Sequence, residues 1–572
     1  MRRSRLAHAA GVLMMAATVV LVSVCASAQV KREPPRQGPR GPRATAPRPD
    51  TTVRQPEAQL PKIELPEFDI TGNLVNGVIP GAKDEIDDES GLDPLSRQAG
   101  VGPREAGQSD QLLGWKDRGA FSMYPAGLNG QATVGYGSFI SPFMDAWYGQ
   151  TYPANDFLVR AGYASSEGHV ANADYRKGFG DLAVGWQMPE EAGLIAGSSF
   201  RGRLSIHGNG YRLYGSAEPT LRRTVTDLNA SVGFQGMRFD ETAIETRFSF
   251  GNAWVDDNRS IHETVFGAQV AAAKVVDGFG LDGDLGFWFS STNLQSATAS
   301  PNYSRLALSV RKEVGGNVEL MAGFGFFLFR GSDTKTAGRF YPRAAIAWHW
   351  DNWVTLFMRF DPSVRRTTLP GVFEDNPYAA NNLRLRHGEF FNNLSFGAEM
   401  DPGSSLHLRL AMQYQQAHNA IMYVDTARAG EWDLQYDGTA SYYGFIAEAS
   451  FTPTESDLLS ASLKVGGSRN SLTGHMIPYV APVMLDAYYE HRFPFRLTLA
   501  AAVRVVGIRY ADPLSVRRLD SFMLLDVRAE YVFAPRWKGF LQVENLAGMR
   551  NQWWEGYVGL PRTGALGVSY AW

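Results

Sequence analysis

The sequence has a single cysteine, Cys25, so no disulfide can form within the chain and no cysteine cluster can bind a metal. After the first 28 residues it also lacks long apolar runs, since none approaches the ~18 consecutive apolar residues of a membrane-spanning helix. An excess of one charge is missing as well: 55 Lys and Arg face 58 Asp and Glu, which gives no indication of nucleic-acid binding. Any membrane crossing must therefore be made by strands.

Signatures of catalysis and of metal binding are equally scarce. The ten histidines are scattered and show neither the spacing of metal ligands on a helix nor a nearby serine elbow. The adjacent pair His262 and Glu263 would point to opposite faces of a strand. The sequence therefore predicts no catalytic residue, no cofactor-binding residue and no metal ligand, and we do not expect an enzyme.

The N-terminus has the order of a secretory signal peptide. Arg2, Arg3 and Arg5 precede an apolar run at residues 9–24, and small residues follow at 26–28. Cleavage after Ala28 suits the ordinary signal peptidase. The alternative is cleavage before a lipidated Cys25, but Val24 fits poorly at the position ahead of that cysteine. We expect residues 1–28 to be removed on export.

Two further segments precede the strand-rich part of the chain. Residues 29–60 are rich in proline and arginine, which predicts a disordered, extended arm in the periplasm, either a spacer or a cationic contact for an acidic partner. Residues 61–115 contain a short apolar stretch and an acidic run at 84–89, and we interpret them as a linker or a reduced plug-like segment.

Residues 116–572 show the period-two alternation of strands. In residues 406–414, for example, leucine, methionine and tyrosine at even positions alternate with polar residues or alanine at odd positions. A soluble β-sandwich also alternates, but many of these segments reach ~10 to 15 residues, the length of membrane strands. The sequence predicts an all-β fold: a transmembrane antiparallel β-barrel of about 16–22 strands in the outer membrane of a Gram-negative bacterium.

Several local features can be interpreted within such a barrel. The pair Lys177-Gly178 is typical of a short turn, and Trp553 and Trp554 suit an aromatic belt at the membrane interface. A polar interior is also expected. The charged side chains predicted to face it are Glu245, Arg247, Arg409, Arg496 and Arg504.

The C-terminal strand carries the most informative pattern. Its larger residues alternate with small ones, and they are Leu566, Val568, Tyr570 and the terminal Trp572. This pattern resembles the C-terminal strand that the outer-membrane assembly machinery recognises. Upstream, residues 541–546 and the loop with Trp553 are similar to the end of a TonB-dependent receptor barrel. The resemblance covers about the last 100 residues of this chain.

The same resemblance extends to a short N-terminal segment. Phe68, Asp69, Ile70, Thr71 and Gly72 resemble the segment that contacts TonB in this family. A plug of well over a hundred residues follows it in the family, but only about 85 residues separate Gln29 from the expected barrel. The resemblance therefore implies a TonB-dependent receptor-like barrel without a full plug domain.

The implied function is uptake or transport of an unidentified ligand across the outer membrane. A plugless diffusive channel and a structural anchor of a cell-envelope complex are the alternatives. The expected partners are outer-membrane lipid, the assembly machinery, and TonB or another periplasmic protein that binds the N-terminal region.

Overall fold

A computed structural model describes residues 130–572, apart from 153, 240, 295–296, 352, 402–404, 437 and 455. Twenty-two strands form one closed antiparallel barrel. Labelled in chain order, they are β1 Gly130–Gly137, β2 Ser141–Thr151, β3 Asn155–Ser166, β4 Tyr175–Gln187, β5 Ser199–Arg212, β6 Arg222–Phe239, β7 Thr242–Asp256, β8 Ser260–Val276, β9 Phe279–Leu294, β10 Tyr303–Val314, β11 Val318–Phe329, β12 Ala337–Asp351, β13 Val354–Phe360, β14 Gly388–Met400, β15 Leu406–His418, β16 Thr439–Phe451, β17 Asp457–Asn470, β18 Val483–Arg492, β19 Leu497–Val506, β20 Phe522–Ala534, β21 Trp537–Glu544 and β22 Thr563–Ala571.

The barrel is a simple up-and-down meander. Each strand pairs with the next one along the chain, and β22 returns to pair with β1, with Gln131 opposite Ala571 and Gly137 opposite Ala565. Closure leaves no sheet edge exposed, which a membrane requires. The predicted transmembrane β-barrel is therefore confirmed, and its strand number lies at the upper end of the expected range.

Side chains alternate between the outer face and the interior, as the sequence pattern predicts. On β22, Leu566 is 63% exposed on the outer face, while Ala565 and Ser569 are buried on the inner side. The outer face of the barrel is apolar because large hydrophobic side chains such as Val134 and Phe340 also point outward. An apolar outer band and a polar inner wall are the arrangement of a membrane barrel.

The two ends of the barrel differ. At the end where the odd-numbered strands begin, the connections have two to five residues, except for residues 188–198 before β5. Both ends of the described chain also lie at this end. The opposite end carries the long loops, including residues 361–387, 419–438 and 545–562. Wall height also varies, because β6 has 18 residues and β1 has eight.

The long loops contain secondary structure of their own. The α-helix α1 spans Leu369–Asp375 between β13 and β14. Short strands pair within three other loops, Met422–Val424 with Asp433–Gln435, Arg509–Tyr510 with Arg518–Leu519, and Gln552–Trp554 with Tyr557–Val558. In the described part of the chain, no helix has the length and hydropathy that a membrane span needs.

Two local predictions were wrong. Lys177 and Gly178 do not form a turn but lie within β4, where the Lys177 amine stands 4.7 Å from the centroid of the Tyr175 ring. Arg496 does not face the interior from a strand, since it lies in the turn before β19 with a φ of 65°. Glycine next to lysine indicates a turn only statistically, and here both residues continue the alternation of the wall.

Candidate functional site

The long loops fold over the barrel mouth and pack on one another; we call this assembly the loop cap. It comprises residues 213–221, 361–387, 419–438, 471–482, 507–521 and 545–562, with the strand ends that they join. Its core is rich in aromatic side chains that bury one another, which is the usual source of stability in a packed interior. The buried residues of its largest cluster are Tyr211, Leu213, Tyr378, Trp432, Ala481, Met484, Val506, Phe522, Leu524, Trp553, Trp554 and Tyr557.

The loop cap crosses the mouth from side to side. The loops after β5 and β15 leave the ring about half a circumference apart, yet the Ala217 amide donates to the Ala429 carbonyl at 2.7 Å. A ring of this size is ~40 Å across, given the strand spacing and tilt of barrels. These loops therefore reach inward over the mouth and meet.

Three glycines make this meeting possible. A Cβ atom on Gly430, whose φ is 72°, would stand 2.5 Å from the Gly215 carbonyl oxygen, and one on Gly215 would stand 2.7 Å from the Gly556 carbonyl oxygen. The three residues come from three separate loops. Their missing side chains allow the three backbones to approach closely at the centre of the loop cap.

Stacked tyrosines surround the glycines. The rings of Tyr378 and Tyr557 stack with their centroids 3.5 Å apart, and the Tyr557 hydroxyl donates to the Gly430 carbonyl at 2.8 Å. The Tyr214 hydroxyl donates to the Val558 carbonyl at 2.9 Å. Burial raises the pKa of Tyr214 to about 12 and holds that of Tyr378 well above its usual value, so both hydroxyls remain neutral.

Arg223 fastens the loop cap to the wall. This residue of β6 is fully buried, with 0% of its surface exposed. Its guanidinium contacts Asp257 at 2.7 Å and Glu431 at 3.0 Å, and it donates to the carbonyls of Pro377 and Ala379. One side chain thus joins the wall to two loops that are distant in sequence. Breaking such a buried pair leaves an uncompensated charge, which typically costs ~3 to 5 kcal/mol.

Helix α1 is fixed to the wall by a second polar contact. The buried carboxylate of Glu263, on β8, accepts hydrogen bonds from the Leu369 amide at 2.6 Å and from the Ser290 hydroxyl at 2.8 Å. Thr368 is the N-cap and accepts from the Gly371 amide. The apolar face of the helix packs beneath the loops through Leu369, Val372 and Phe373.

The inner wall carries charged side chains, two of which, Arg409 and Arg504, the sequence predicts to face the interior, and the structure shows that both are paired. Arg504 contacts Asp486 at 2.6 Å, and Arg409 contacts Glu448 at 3.2 Å and Glu399 at 3.3 Å. Because these ions are neutralised in pairs, the wall is polar without a strong charge of one sign. Other pairs on the wall are Arg160–Asp145, Arg305–Asp284, Arg311–Asp282 and Lys538–Glu530.

The residues singled out from the sequence are separated in the structure. Leu566, Val568 and Tyr570 lie on the outer face of β22, and Trp572 ends the chain at the short-turn end, where its amide donates to the Gly130 carbonyl. Residues 68–72, predicted to contact TonB, lie outside the described residues. The role predicted for either set stays a prediction.

Trp553 and Trp554 correct a prediction. They are not part of an interfacial belt but lie buried in the loop cap, where Trp554 packs 5.1 Å from Trp432 between ring centroids. Sequence reasoning also missed two buried arginines: Arg223, and Arg509 in the loop 507–521, which is 1% exposed. The sequence did contain one signal for the aromatic cluster of the loop cap, because Trp553, Trp554 and Tyr557 lie close together in one loop. The arginines gave no signal of this kind.

Within the described part of the chain, no group of three or more His, Cys, Asp or Glu side chains is placed to hold a metal ion. The aromatic loop cap is therefore the feature of these residues with the most distinctive chemistry. Its rings offer apolar surface, and its N–H and O–H groups offer hydrogen-bond donors.

Comparison with known proteins agrees with this architecture. The FrpB iron transporter from Neisseria meningitidis (F3-3 variant) is 11% identical, with a TM-score of 0.61 over 78% of this chain and 81% of that chain. The ferric-catecholate import receptor Fiu from E. coli K12 is 12% identical, with a TM-score of 0.59 over 78% and 82%. The siderophore receptor PiuA from Acinetobacter baumannii is 12% identical, with a TM-score of 0.59 over 79% and 82%. At such identities the likeness shows a shared fold.

The family assignment comes from the sequence itself. Among curated proteins none matches the chain. The model of the family described as TonB dependent receptor-like, beta-barrel matches residues 107–546, which is more than half of the sequence. Together with the closed 22-stranded barrel, this match places the protein in the outer membrane and confirms the resemblance seen in its last strands. The chain belongs to the TonB-dependent receptor-like β-barrel family.

Proposed function

We propose that this protein is a gated uptake receptor, which captures a ligand at the loop cap and admits it through the barrel. The observation that carries the proposal is the loop cap itself, because loops from opposite sides of the wall meet over the mouth around Gly215 and Gly430. A diffusive channel would need an open mouth. A packed aromatic loop cap that is held closed by Arg223 is suited to a site that opens when a ligand or a partner binds.

Energy for opening and release would come from the periplasmic side. In this proposal Phe68, Asp69, Ile70, Thr71 and Gly72 would add as a strand to a sheet edge of TonB. Residues 61–115 would serve as the reduced plug and residues 29–60 as the arm that positions it. The relatives named as iron transporter, import receptor and siderophore receptor support transport as the role of such barrels.

Deletion of residues 68–72 tests the coupling. The variant should assemble in the outer membrane at the normal level, because its 22 strands are intact, but uptake should be lost. The measurement is growth or accumulation that depends on the protein, with heat-modifiable mobility in gels as the assay for a folded barrel. A deletion of equal length within residues 29–60 is the matched control and should retain uptake. Normal uptake after deletion of 68–72 would contradict TonB coupling and favour the channel.

A further inference from the structure

Arg509 is a buried cation at the side of the loop cap. It begins the short strand Arg509–Tyr510 in the loop after β19, and only 1% of its surface is exposed. The carbon of its guanidinium lies 5.2 Å from the centroid of the Phe522 ring and 5.3 Å from that of Trp553. The two aromatic rings shield the charge from water and restrict the plane of the guanidinium.

This cation has no counterion among the described residues. Its one hydrogen bond runs from Nη2 to the Gln552 carbonyl at 2.8 Å, and Nε has no acceptor within the described part of the chain. Burial lowers the pKa of Arg509 to about 10, and the Tyr479 hydroxyl acts in the opposite direction. A guanidinium has five N–H donors, so most of the hydrogen-bond donors of Arg509 have no acceptor among the described residues.

Arg509 differs from Arg223 in how its charge is compensated. Both arginines are buried in the loop cap, but Arg223 has two carboxylates and two carbonyls around it. An unpaired buried charge is costly, and an apolar side chain of similar size would often serve packing better. A cation kept at such a position indicates a partner that is not among the described residues.

A second orphan donor lies beside the first. The indole Nε1 of Trp553, whose ring packs against the Arg509 guanidinium, is buried and has no acceptor among the described residues. A ligand with more than one oxygen atom would supply an acceptor to each of these donors. The planar fork of arginine matches the two oxygens of a carboxylate better than a single-point acceptor.

We propose that Arg509 and Trp553 form a binding site for a carboxylate group of the transported ligand, whose remaining body packs on the aromatic rings of the loop cap. This inference rests on the proposed function, since it names the class of ligand that the receptor takes. Access requires the loops 507–521 and 545–562 to separate, which breaks the contact between Arg509 and Gln552. The incoming carboxylate then supplies the counterion that the closed loop cap lacks.

The test uses purified full-length protein in detergent and citrate as the carboxylate probe. Thermal unfolding is followed with rising citrate at constant ionic strength maintained with NaCl, because a ligand that binds only the folded state raises the Tm. Inorganic phosphate is the comparison anion. The variants are Arg509→Met, which removes the charge at similar volume, and Arg509→Lys, which keeps the charge without the fork. Arg518→Met is the matched control, since Arg518 is an exposed arginine of the same loop.

Citrate should raise the Tm of the wild type and of Arg518→Met. For the same rise in Tm, Arg509→Met should need at least a tenfold higher citrate concentration, and Arg509→Lys an intermediate one. Without citrate, Arg509→Met should be as stable as the wild type or more stable, because it removes an unpaired buried charge. An equal citrate response in Arg509→Met, or no response in the wild type, would overturn the site. Loss of folding in Arg509→Met would also overturn it, since the arginine would then be structural. A phosphate response equal to that of citrate would overturn the carboxylate assignment.

Binding by purified protein needs no energy coupling, so the two proposals fail separately. Citrate binding that depends on Arg509, in a protein without uptake, would contradict the receptor function alone. Uptake that is indifferent to Arg509→Met would contradict the carboxylate site alone.

Discussion

The imidazole of His387 lies at the base of the loop cap, directly before β14. Its Nδ1 accepts a hydrogen bond from the Thr367 amide at 3.1 Å, and its ring contacts the edges of Tyr303 and Phe329. Burial lowers the pKa of His387 to about 4, and the nearby charge of Arg366 acts in the same direction. The folded state therefore holds this histidine neutral through most of the physiological range of pH.

This buried histidine should make the loop cap sensitive to acid. Below pH ~6.5 this histidine is protonated in the unfolded chain but stays neutral in the folded chain. The free energy of unfolding therefore falls as the pH drops from 6.5 towards 4. The loss is at most about 3 kcal/mol, from the difference between the two pKa values. Thermal unfolding between pH 4 and 7 measures it. His387→Gln can still accept from Thr367 and is the control, and an unchanged pH slope in that variant would show that other groups cause the effect.

The buried arginines and tryptophans show what sequence reasoning could not reach at the residue scale. Arg223 meets Glu431 more than 200 positions along the chain, and Trp554 packs against Trp432, which precedes it by more than 100 positions. Period-two alternation reports the face of one strand and says nothing about loops that meet over a mouth. The inward position of Arg504 was predictable from the alternation of its strand, whereas its partner Asp486 is known only from the register of the neighbouring strand.

At the scale of elements, β22 joins the two ends of the wall. It pairs with β21 on one side and β1 on the other, and Trp572 stacks near Tyr570, with ring centroids 6.1 Å apart. The pairing supplies the backbone hydrogen bonds of the seam. The terminal indole adds little to this pairing, since it stands at the end of the strand.

Replacing Trp572 should therefore separate assembly from stability. Trp572→Ser is expected to reduce the amount of folded barrel in cells several-fold, because the assembly machinery would read the terminal aromatic residue, while refolding of the purified chain in detergent stays close to that of the wild type. Heat-modifiable mobility measures the folded fraction in both settings. Trp572→Phe keeps an aromatic terminus and should restore assembly. Equal losses in cells and in detergent would mean that the indole contributes only to stability.

Strands were predictable where their two faces differ in polarity. Residues 244–254 and 406–414 alternate cleanly and lie in β7 and β15. The turn expected at Lys177-Gly178 failed because β4 has glycines at 178, 180 and 185, and composition alone does not distinguish a glycine in a strand from one in a turn. The position of α1 could not be predicted either, since the helix is short and depends on Glu263 of another strand.

At the scale of the whole molecule, the barrel combines a rigid wall with a cover made of its own loops. Strand pairing around the full circumference resists local opening, whereas the loop cap is held by ring packing and by a few buried contacts such as those of Arg223 and Glu263. Elements with fewer cooperative hydrogen bonds open at lower cost. The molecule should therefore change its permeability through its loops while the wall stays intact.

Single-channel conductance in a planar bilayer can locate the barrier. Purified wild-type protein should conduct little, and Arg223→Ala should conduct in frequent openings, because losing the arginine leaves Asp257 buried without its partner and destabilises the closed loop cap by ~3 to 5 kcal/mol. Arg222→Ala is the matched control, since this neighbouring arginine pairs with Asp174 and has no contact to the loops at 361–387 or 419–438 in the described structure.

Removal of residues 29–115 completes this experiment. If the loop cap is the main barrier, the truncated wild type stays nearly silent and the truncated Arg223→Ala protein conducts more than its full-length form, because both obstacles are gone. Large conductance of the truncated wild type would instead make the N-terminal segment the barrier. If no form conducts, the role as a structural anchor is favoured. A barrel that carries no current with its loop cap loosened and its N-terminal segment removed does not provide a path for solutes.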